Sequence, residues 1–120
     1  MKNNMLPLNE NYIQRIKSKY NDEQQEAIFV DKVSALVSAG AGSGKTAVLS
    51  ERTIALLKAG FDISRILILT FTDNAAQNMK IRIKAKISED KDGDIKEAEK
   101  YVSGADIMTF DSFNRKLAIK

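Results

Sequence analysis

Two rhythms of apolar residues run along this chain, one with the three-to-four spacing of a helix and one of short unbroken stretches. Tyr12, Ile13, Ile16 and Tyr20 recur at helical spacing between Asn9 and Tyr20, which predicts a helix with one buried side. Asn21 or Asp22 can cap a second short helix reaching Val30. The run Val33 to Ala39 predicts a first strand, and Thr46 to Ala59 a helix stopped by Gly60. Arg65 to Phe71 predicts a second strand rich in isoleucine and leucine. Apolar residues are consecutive in both strands, the pattern of parallel strands buried on two faces. Thr72 or Asp73 then caps a third helix with Ala76, Met79, Ile83 and Ile87 in one stripe. Its Lys80, Arg82, Lys84 and Lys86 fall on or beside the other side. A polar loop from Ser88 to Asp94 contains Gly93, and a short helix covers Ile95 to Val102. Past Gly104, a third strand runs from about Asp106 to Phe110, and a last helix starts at Asp111 and continues to Lys120. Residues 32–120 therefore read β-α-β-α-β-α behind a helical lead-in at 1–31, an α/β layer fold. No internal repeat or low-complexity segment interrupts it.

Composition narrows the chemistry. At 120 residues and 43% hydrophobic the chain can bury one core, so a single domain is expected. Nineteen Lys+Arg against 16 Asp+Glu give a net charge of +3, which permits a polyanionic partner without requiring one. Cysteine and histidine are both absent. Disulfides, thiolate or imidazole metal sites, and Ser-His or Cys-His catalysis are thereby excluded. No apolar run approaches the ~18 residues that cross a membrane, and Met1 to Pro7 has no signal-peptide core. A reduced, cytoplasmic setting is the expectation.

The most specific signal is Ala39-Gly40-Ala41-Gly42-Ser43-Gly44-Lys45-Thr46, between a predicted strand and a predicted helix. Glycines at 40, 42 and 44 let the backbone turn successive N–H groups inward onto phosphate oxygens. Lys45 is suited to reach the β- and γ-phosphates, and the Thr46 hydroxyl to hold Mg²⁺. The helix that starts here adds its unpaired N–H groups and positive dipole end to the same anion site. The first position of the usual pattern is glycine, and here it is Ala39, still a small residue. ATP with Mg²⁺ is the expected ligand pair.

A nucleotide hydrolase of this kind also needs an acid at the end of a later apolar strand to position Mg²⁺ and water. No such strand is predicted. Asp22-Glu23, in N-D-E-Q-Q, precedes the glycine-rich loop and reads as ordinary acids at a helix start. Asp106 precedes the core of its strand rather than following it. The chain is therefore expected to lack the catalytic acid, and to lack turnover on its own.

Four blocks carry a family resemblance: Y-N-D-E-Q-Q-E-A-I, A-G-A-G-S-G-K-T-A-V-L, L-T-F-T-D-N-A-A-Q-N-M-K-I-R-I and M-T-F-D-S-F-N-R-K-L. In order and spacing they resemble the Q motif and motifs I, Ia and Ib of superfamily 1 DNA helicases of the UvrD/Rep type. The likeness covers residues 20 to 117. Ala47 after G-K-T resembles the AddA/RexA helicase-nuclease subunits more than UvrD, Rep or PcrA, which usually carry Arg there. The resemblance implies a P-loop NTPase, RecA-like fragment with three α/β/α layers on a short parallel sheet. It also implies a longer parent that moves on single-stranded DNA and unwinds duplex. The partners it suggests are a second RecA-like domain and an AddB/RexB-like nuclease subunit.

Position by position, the resemblance gives Gln24 the adenine edge, a task a side-chain amide suits because it both donates and accepts. It gives Ala39 to Thr46 the phosphates. Thr70, Phe71, Thr72, Asn74 and Ala75 are assigned to single-stranded DNA, with hydroxyls and a helix start on phosphates and Phe71 as a stacking face. Phe71 reads equally well as a core aromatic at a strand end. Thr109, Ser112 and Phe113 keep the motif Ib pattern. Two residues depart from the family: Asn78 where glutamate is usual, and Asp111 where histidine is usual. A carboxylate would repel DNA phosphate, so Asp111 is expected to cap the last helix instead. The lysines of the third helix are expected to form a solvated face.

Two other functions stay open at this level. One is a P-loop nucleotidase or kinase of another kind, which leaves the T-F-T and T-F-D-S-F blocks unexplained. The other is a module that binds nucleotide or a partner without hydrolysis. The resemblance implies a parallel sheet with more strands than the three predicted here, which leaves apolar sheet surface to be covered by the N-terminal helices, the last helix or a second copy.

Overall fold

The structure, a computed structural model, describes residues 6–29 and 44–119. The expected first strand and the glycine-rich loop up to Ser43 lie outside those residues. Helix α1 spans Glu10–Lys19 and α2 spans Asp22–Phe29. Helix α3 spans Gly44–Lys58, followed by a 3₁₀ turn at Ile63–Arg65 and strand β1 at Leu67–Thr70. Helix α4 covers Asp73–Glu89, a second 3₁₀ segment Lys96–Gly104, strand β2 Asp106–Thr109 and helix α5 Phe110–Ile119.

Four of the helices begin where a side chain can take an orphan N–H, three of them as follows. Asn9 Oδ1 accepts from Tyr12 N at 2.8 Å to open α1. Asn21 Oδ1 accepts from Gln24 N at 2.8 Å while Gln24 Oε1 accepts from Asn21 N at 2.9 Å, a reciprocal box that starts α2. Thr72 Oγ1 accepts from Ala75 N at 3.0 Å for α4. Helix α3 stops at a left-handed glycine, Gly60 with φ 106°, whose N–H reaches Leu57 O while Phe61 N reaches Leu56 O. That pair of hydrogen bonds is the Schellman ending, and it needs a residue free of the Cβ penalty at positive φ.

The two strands form a parallel pair in register, Leu67 opposite Asp106 through Thr70 opposite Thr109. Among the described residues the sheet has these two strands, so the observed architecture is a mixed helix and strand fold with a short parallel sheet. The expectation of burial on both faces is corrected for the strand at Leu67–Thr70, and for the first predicted strand it lies outside the described residues. Ile68, Thr70, Ile107 and Thr109 are buried, whereas Leu67 is 40% exposed and Leu69 and Met108 are half-buried. Successive side chains point to opposite sides of a strand, and α4 packs against the sheet. The short helix expected at Ile95–Val102 is present as a 3₁₀ segment, Lys96–Gly104. Its end bonds run three residues back, Ala98 N to Ile95 O and Ala105 N to Val102 O. This winding rises about 2.0 Å per residue and so spans more distance with the same chain.

The core is one cluster drawn from every described helix except α5, together with both strands. The α4 stripe enters it as the spacing predicts, with Ala76, Met79, Ile83 and Ile87 all buried. Burial of each isoleucine of that stripe contributes about 1.5–3 kcal/mol. Helix α3 is central: Leu49 to Ala55 are all buried, including Ser50, Glu51, Arg52 and Thr53. Ser50 Oγ donates to Ala47 O, Thr53 Oγ1 to Leu49 O, and Arg52 Nη1 to Ile28 O at 3.1 Å. No buried side-chain nitrogen or oxygen among the described residues lacks a partner.

Candidate functional site

Two groups of residues singled out by the sequence can be located. The first surrounds the start of α3. Gly44 opens that helix and Thr46 is half-buried in its first turn; Ala39, Gly40, Ala41, Gly42 and Ser43 lie outside the described residues. Gln24, in the first turn of α2, is half-buried. Its oxygen is held by the Asn21 N–H, which fixes the amide plane and leaves the NH₂ group as the end that can donate outward. Beside it, Gln25 Nε2 donates to Tyr20 O at 2.7 Å. Asp22 and Glu23 are exposed first-turn acids of α2, in keeping with a role at the helix dipole.

The second group sits at the carboxyl ends of the parallel strands, where α/β sheets bind ligands. The register sets Thr70 opposite Thr109, so the T-F-T and T-F-D-S-F blocks lie side by side. Phe71 and Phe110 follow directly, their ring centroids 5.3 Å apart and tilted by 41°. Phe71 is 64% exposed, which removes the reading of a core aromatic. Sequence reasoning misses Phe110 in this role, because only the strand register brings it to Phe71. Thr72, Asn74 and Ala75 form the start of α4, Thr72 and Asn74 exposed. The first-turn amides of Asp73 and Asn74 have no carbonyl partner within the helix.

Several hydroxyls in this group already have work. Thr70 is fully buried, its Oγ1 donating to Thr72 O at 3.0 Å, with Met108 O on the same hydroxyl at 3.4 Å. Thr109 Oγ1 accepts from Ser112 N at 3.0 Å and donates to Ser112 Oγ at 3.1 Å. Thr109 is thus the cap of α5, and the expectation that Asp111 caps it is corrected: Asp111 lies inside the first turn, exposed. Phe113 is half-buried on the same helix. On α4, Lys80 donates to Ser103 O and Lys86 to Glu51 Oε1, while Arg82 and Lys84 are exposed. The helix therefore carries no unbroken cationic track. Asp106 is the first residue of β2, at the strand end away from Phe110, and pairs with Lys116 at 3.3 Å.

Two charged clusters give no signal in the sequence. Glu51, 5% exposed, accepts from the hydroxyls of Tyr12 and Tyr20 and from Lys86. Burial, and then the nearby Glu51 charge, hold the Tyr12 phenol well above its ordinary pKa, and Tyr20 is raised for the same reasons. The second cluster gathers Asp90, Asp92 and Asp94, whose ligand atoms lie within 4.8 Å of one another. Its centre is taken by the Lys58 ammonium, 2.9 Å from an oxygen of each. Arg15 adds a second cation at 3.0 Å from Asp92. A built-in ammonium thus supplies the positive charge these carboxylates need.

The family model that describes the UvrD/REP helicase N-terminal domain matches residues 20–119. The chain belongs to this family. The exonuclease/helicase subunit RexA of Lactococcus lactis subsp. cremoris (strain MG1363) is 40% identical over 107 residues, 82% of this chain and 9% of the relative. An ATP-dependent helicase/nuclease subunit of Enterococcus faecalis is 48% identical over 69 residues, 58% of this chain and 6% of the relative. Its counterpart in Heliobacterium modesticaldum is 46% identical over 72 residues, 60% of this chain and 5% of that protein. This UvrD/REP-family chain thus spans under a tenth of the length of these curated relatives. The expected likeness to UvrD/Rep-type motors, and to AddA/RexA subunits among them, is borne out. Helix α1 precedes the matched residues. No helix among the described residues is long and apolar enough to cross a membrane.

Proposed function

We propose that this chain is the N-terminal, nucleotide- and DNA-contacting part of the first motor domain of an ATP-dependent DNA helicase/nuclease subunit. In this reading residues 32–120 belong to a RecA-like, three-layer α/β/α core, and residues 1–31 form a lead-in that carries the adenine contact. The observation that carries it is the register of β1 on β2. It aligns Thr70 with Thr109 and so joins two family blocks into one face, with the exposed Phe71 against Phe110 and the starts of α4 and α5 beside them.

The residues fit ATP and Mg²⁺. The start of α3 offers N–H groups and a positive dipole end to phosphate. Lys45 would hold the β- and γ-phosphates, Thr46 the metal, and Gln24 the base, with its amide plane already fixed by Asn21. When bound, ATP supplies the phosphoanhydride bond whose cleavage drives movement. The chain's own part is to bind, orient and couple. Phe71 presents a face for a DNA base, and the first turns of α4 and α5 take the backbone phosphates. A cytoplasmic setting, the second RecA-like domain and an AddB/RexB-like subunit complete the proposal.

Turnover requires an acid at a strand's carboxyl end, and Asp106 stands at the opposite end of β2. These residues alone are therefore proposed to bind nucleotide without hydrolysing it. Calorimetry with ATP and anisotropy with a fluorescent oligo-dT test the assignment. Weak ATP binding should vanish in Lys45→Ala, and oligo-dT binding should fall in Phe71→Ala. ATP binding untouched by Lys45→Ala would overturn the reading.

A further inference from the structure

Glu51 is a buried carboxylate that the proposed chemistry leaves unused. It lies in the second turn of α3, one turn beyond Thr46, and is 5% exposed. Oε2 accepts the Tyr12 hydroxyl from α1. Oε1 accepts the Tyr20 hydroxyl at 3.4 Å from the α1–α2 junction and the Lys86 ammonium at 2.9 Å from α4. Donors from three separate parts of the chain thus converge on one side chain.

Burying a carboxylate is costly, and a well-packed apolar residue usually serves stability at least as well. What the carboxylate supplies is direction. Each donor must approach an oxygen at hydrogen-bond distance and angle, so Tyr12, Tyr20 and Lys86 have fixed positions relative to α3. Tyr20 is the informative partner. Its carbonyl accepts from Gln25 Nε2 at 2.7 Å, and its neighbour Asn21 forms the reciprocal box with Gln24. An unbroken run of contacts leads from the second turn of α3 to the Gln24 amide. Tyr12 braces the other side, with the Lys58 ammonium 4.9 Å and the Arg15 guanidinium 5.6 Å from its ring centroid.

We propose that Glu51 is a positioning residue: through Tyr20 it holds the Tyr20–Gln24 segment on the helix that follows the phosphate loop, and so sets base selectivity without touching the nucleotide. This rests on the assignment of Gln24 to the base and of α3 to the phosphates. Glu51→Gln keeps the shape but turns one acceptor into an NH₂ donor, which must face Tyr12 or the Tyr20–Lys86 pair. Tyr20→Phe removes a single hydroxyl.

The test titrates the chain with fluorescent N-methylanthraniloyl ATP and GTP, with Gln24→Ala and Lys45→Ala as references. The wild type should prefer ATP about fivefold to tenfold, the worth of one well-made hydrogen bond. Glu51→Gln and Tyr20→Phe should bring that preference down to the level of Gln24→Ala while GTP affinity stays within about twofold. Hydrogen exchange on the nucleotide-free chain gives a second readout: the α2 amides should lose protection in both variants while those of α4 keep theirs. A folded Glu51→Gln chain with the ATP preference and α2 protection intact would overturn the proposal, and Tyr20→Phe decides if Glu51→Gln does not fold. Nucleotide binding that Lys45→Ala leaves unchanged would instead sink the nucleotide assignment itself, and equal wild-type affinity for both nucleotides would sink the role of Gln24 and this proposal together.

Discussion

Lys58 Nζ lies 2.9 Å from Asp90 Oδ2, and the two side chains are only 1% and 5% exposed. The ammonium sits at the end of α3 and the carboxylate at the end of α4, so the pair ties the far ends of the two longest helices. Removing one partner of such a pair leaves the other as an uncompensated buried charge. Lys58→Met should therefore lower unfolding free energy by about 3 kcal/mol, toward the lower end of the range for buried pairs. The more exposed Asp92 and Asp94 can recover water. Lys100, exposed and paired with Glu97 across one helical turn, is the contrast: Lys100→Ala should leave the urea midpoint where it is.

The same cluster gives acid sensitivity a definite sign. Hydrogen bonds from Arg15, then Lys58 and Asn9, hold the Asp92 carboxyl well below the usual carboxylate range. A depressed carboxylate contributes stability above its unfolded pKa of about 3.9 and loses it as pH falls toward the folded value. Burial pulls Lys58 down, but its bonds to Asp94, Asp92 and Asp90 outweigh this and raise it. That contribution is present below about pH 10.4 and is lost as pH rises through the raised value. Urea midpoints should be flat between these limits and fall below about pH 4. Asp92→Asn should flatten the acid limb. An unchanged limb would place the acid sensitivity elsewhere.

Thr109 and Asp111 separate a true cap from a neighbour. Thr109→Val keeps the buried shape but leaves the Ser112 N–H without its acceptor, and should cost about 1–2 kcal/mol. Asp111→Ala should change stability by no more than about 0.5 kcal/mol. Thermal melts of the two variants side by side decide the order.

Phe71 is exposed enough to be removed without loss of fold. Phe71→Ala should leave the melting temperature unchanged and weaken oligo-dT binding at least fivefold, since base stacking on an aromatic contributes about 1–3 kcal/mol. Phe110→Ala should weaken it less, by loosening the orientation of Phe71. Equal DNA affinity in all three proteins would remove the aromatic pair from the interface.

What is legible in the sequence is what local physics dictates. The α4 stripe from Ala76 to Ile87 follows from a 3.6-residue period, and the start of α4 at Thr72 and the stop of α3 at Gly60 follow from capping chemistry. Four ordered blocks carry the family. Residues whose roles depend on distant partners are not legible. Glu51, Lys58 and Tyr12 look like ordinary amphipathic positions until Lys86 and Asp90 to Asp94 are folded against them. Phe110 acquires its neighbour only through the β1–β2 register. The half-exposed face of β1 escapes prediction because an unbroken apolar run does not say which of its residues turn inward.

Helix α1 is fastened largely to residues far along the chain. Asn9 donates to Asp92 across 83 positions and Arg15 to Asp92 across 77. Contacts of that span repay the entropy of closing their loop only once the intervening chain is ordered. Docking of α1 is therefore expected late in folding, after α4 and the turn that follows it have formed. Substitutions at Asn9 or Arg15 should accordingly speed unfolding and leave the refolding rate nearly unchanged. On that expectation the Asn9 and Arg15 contacts to Asp92 act as a brake on opening rather than as a guide to folding.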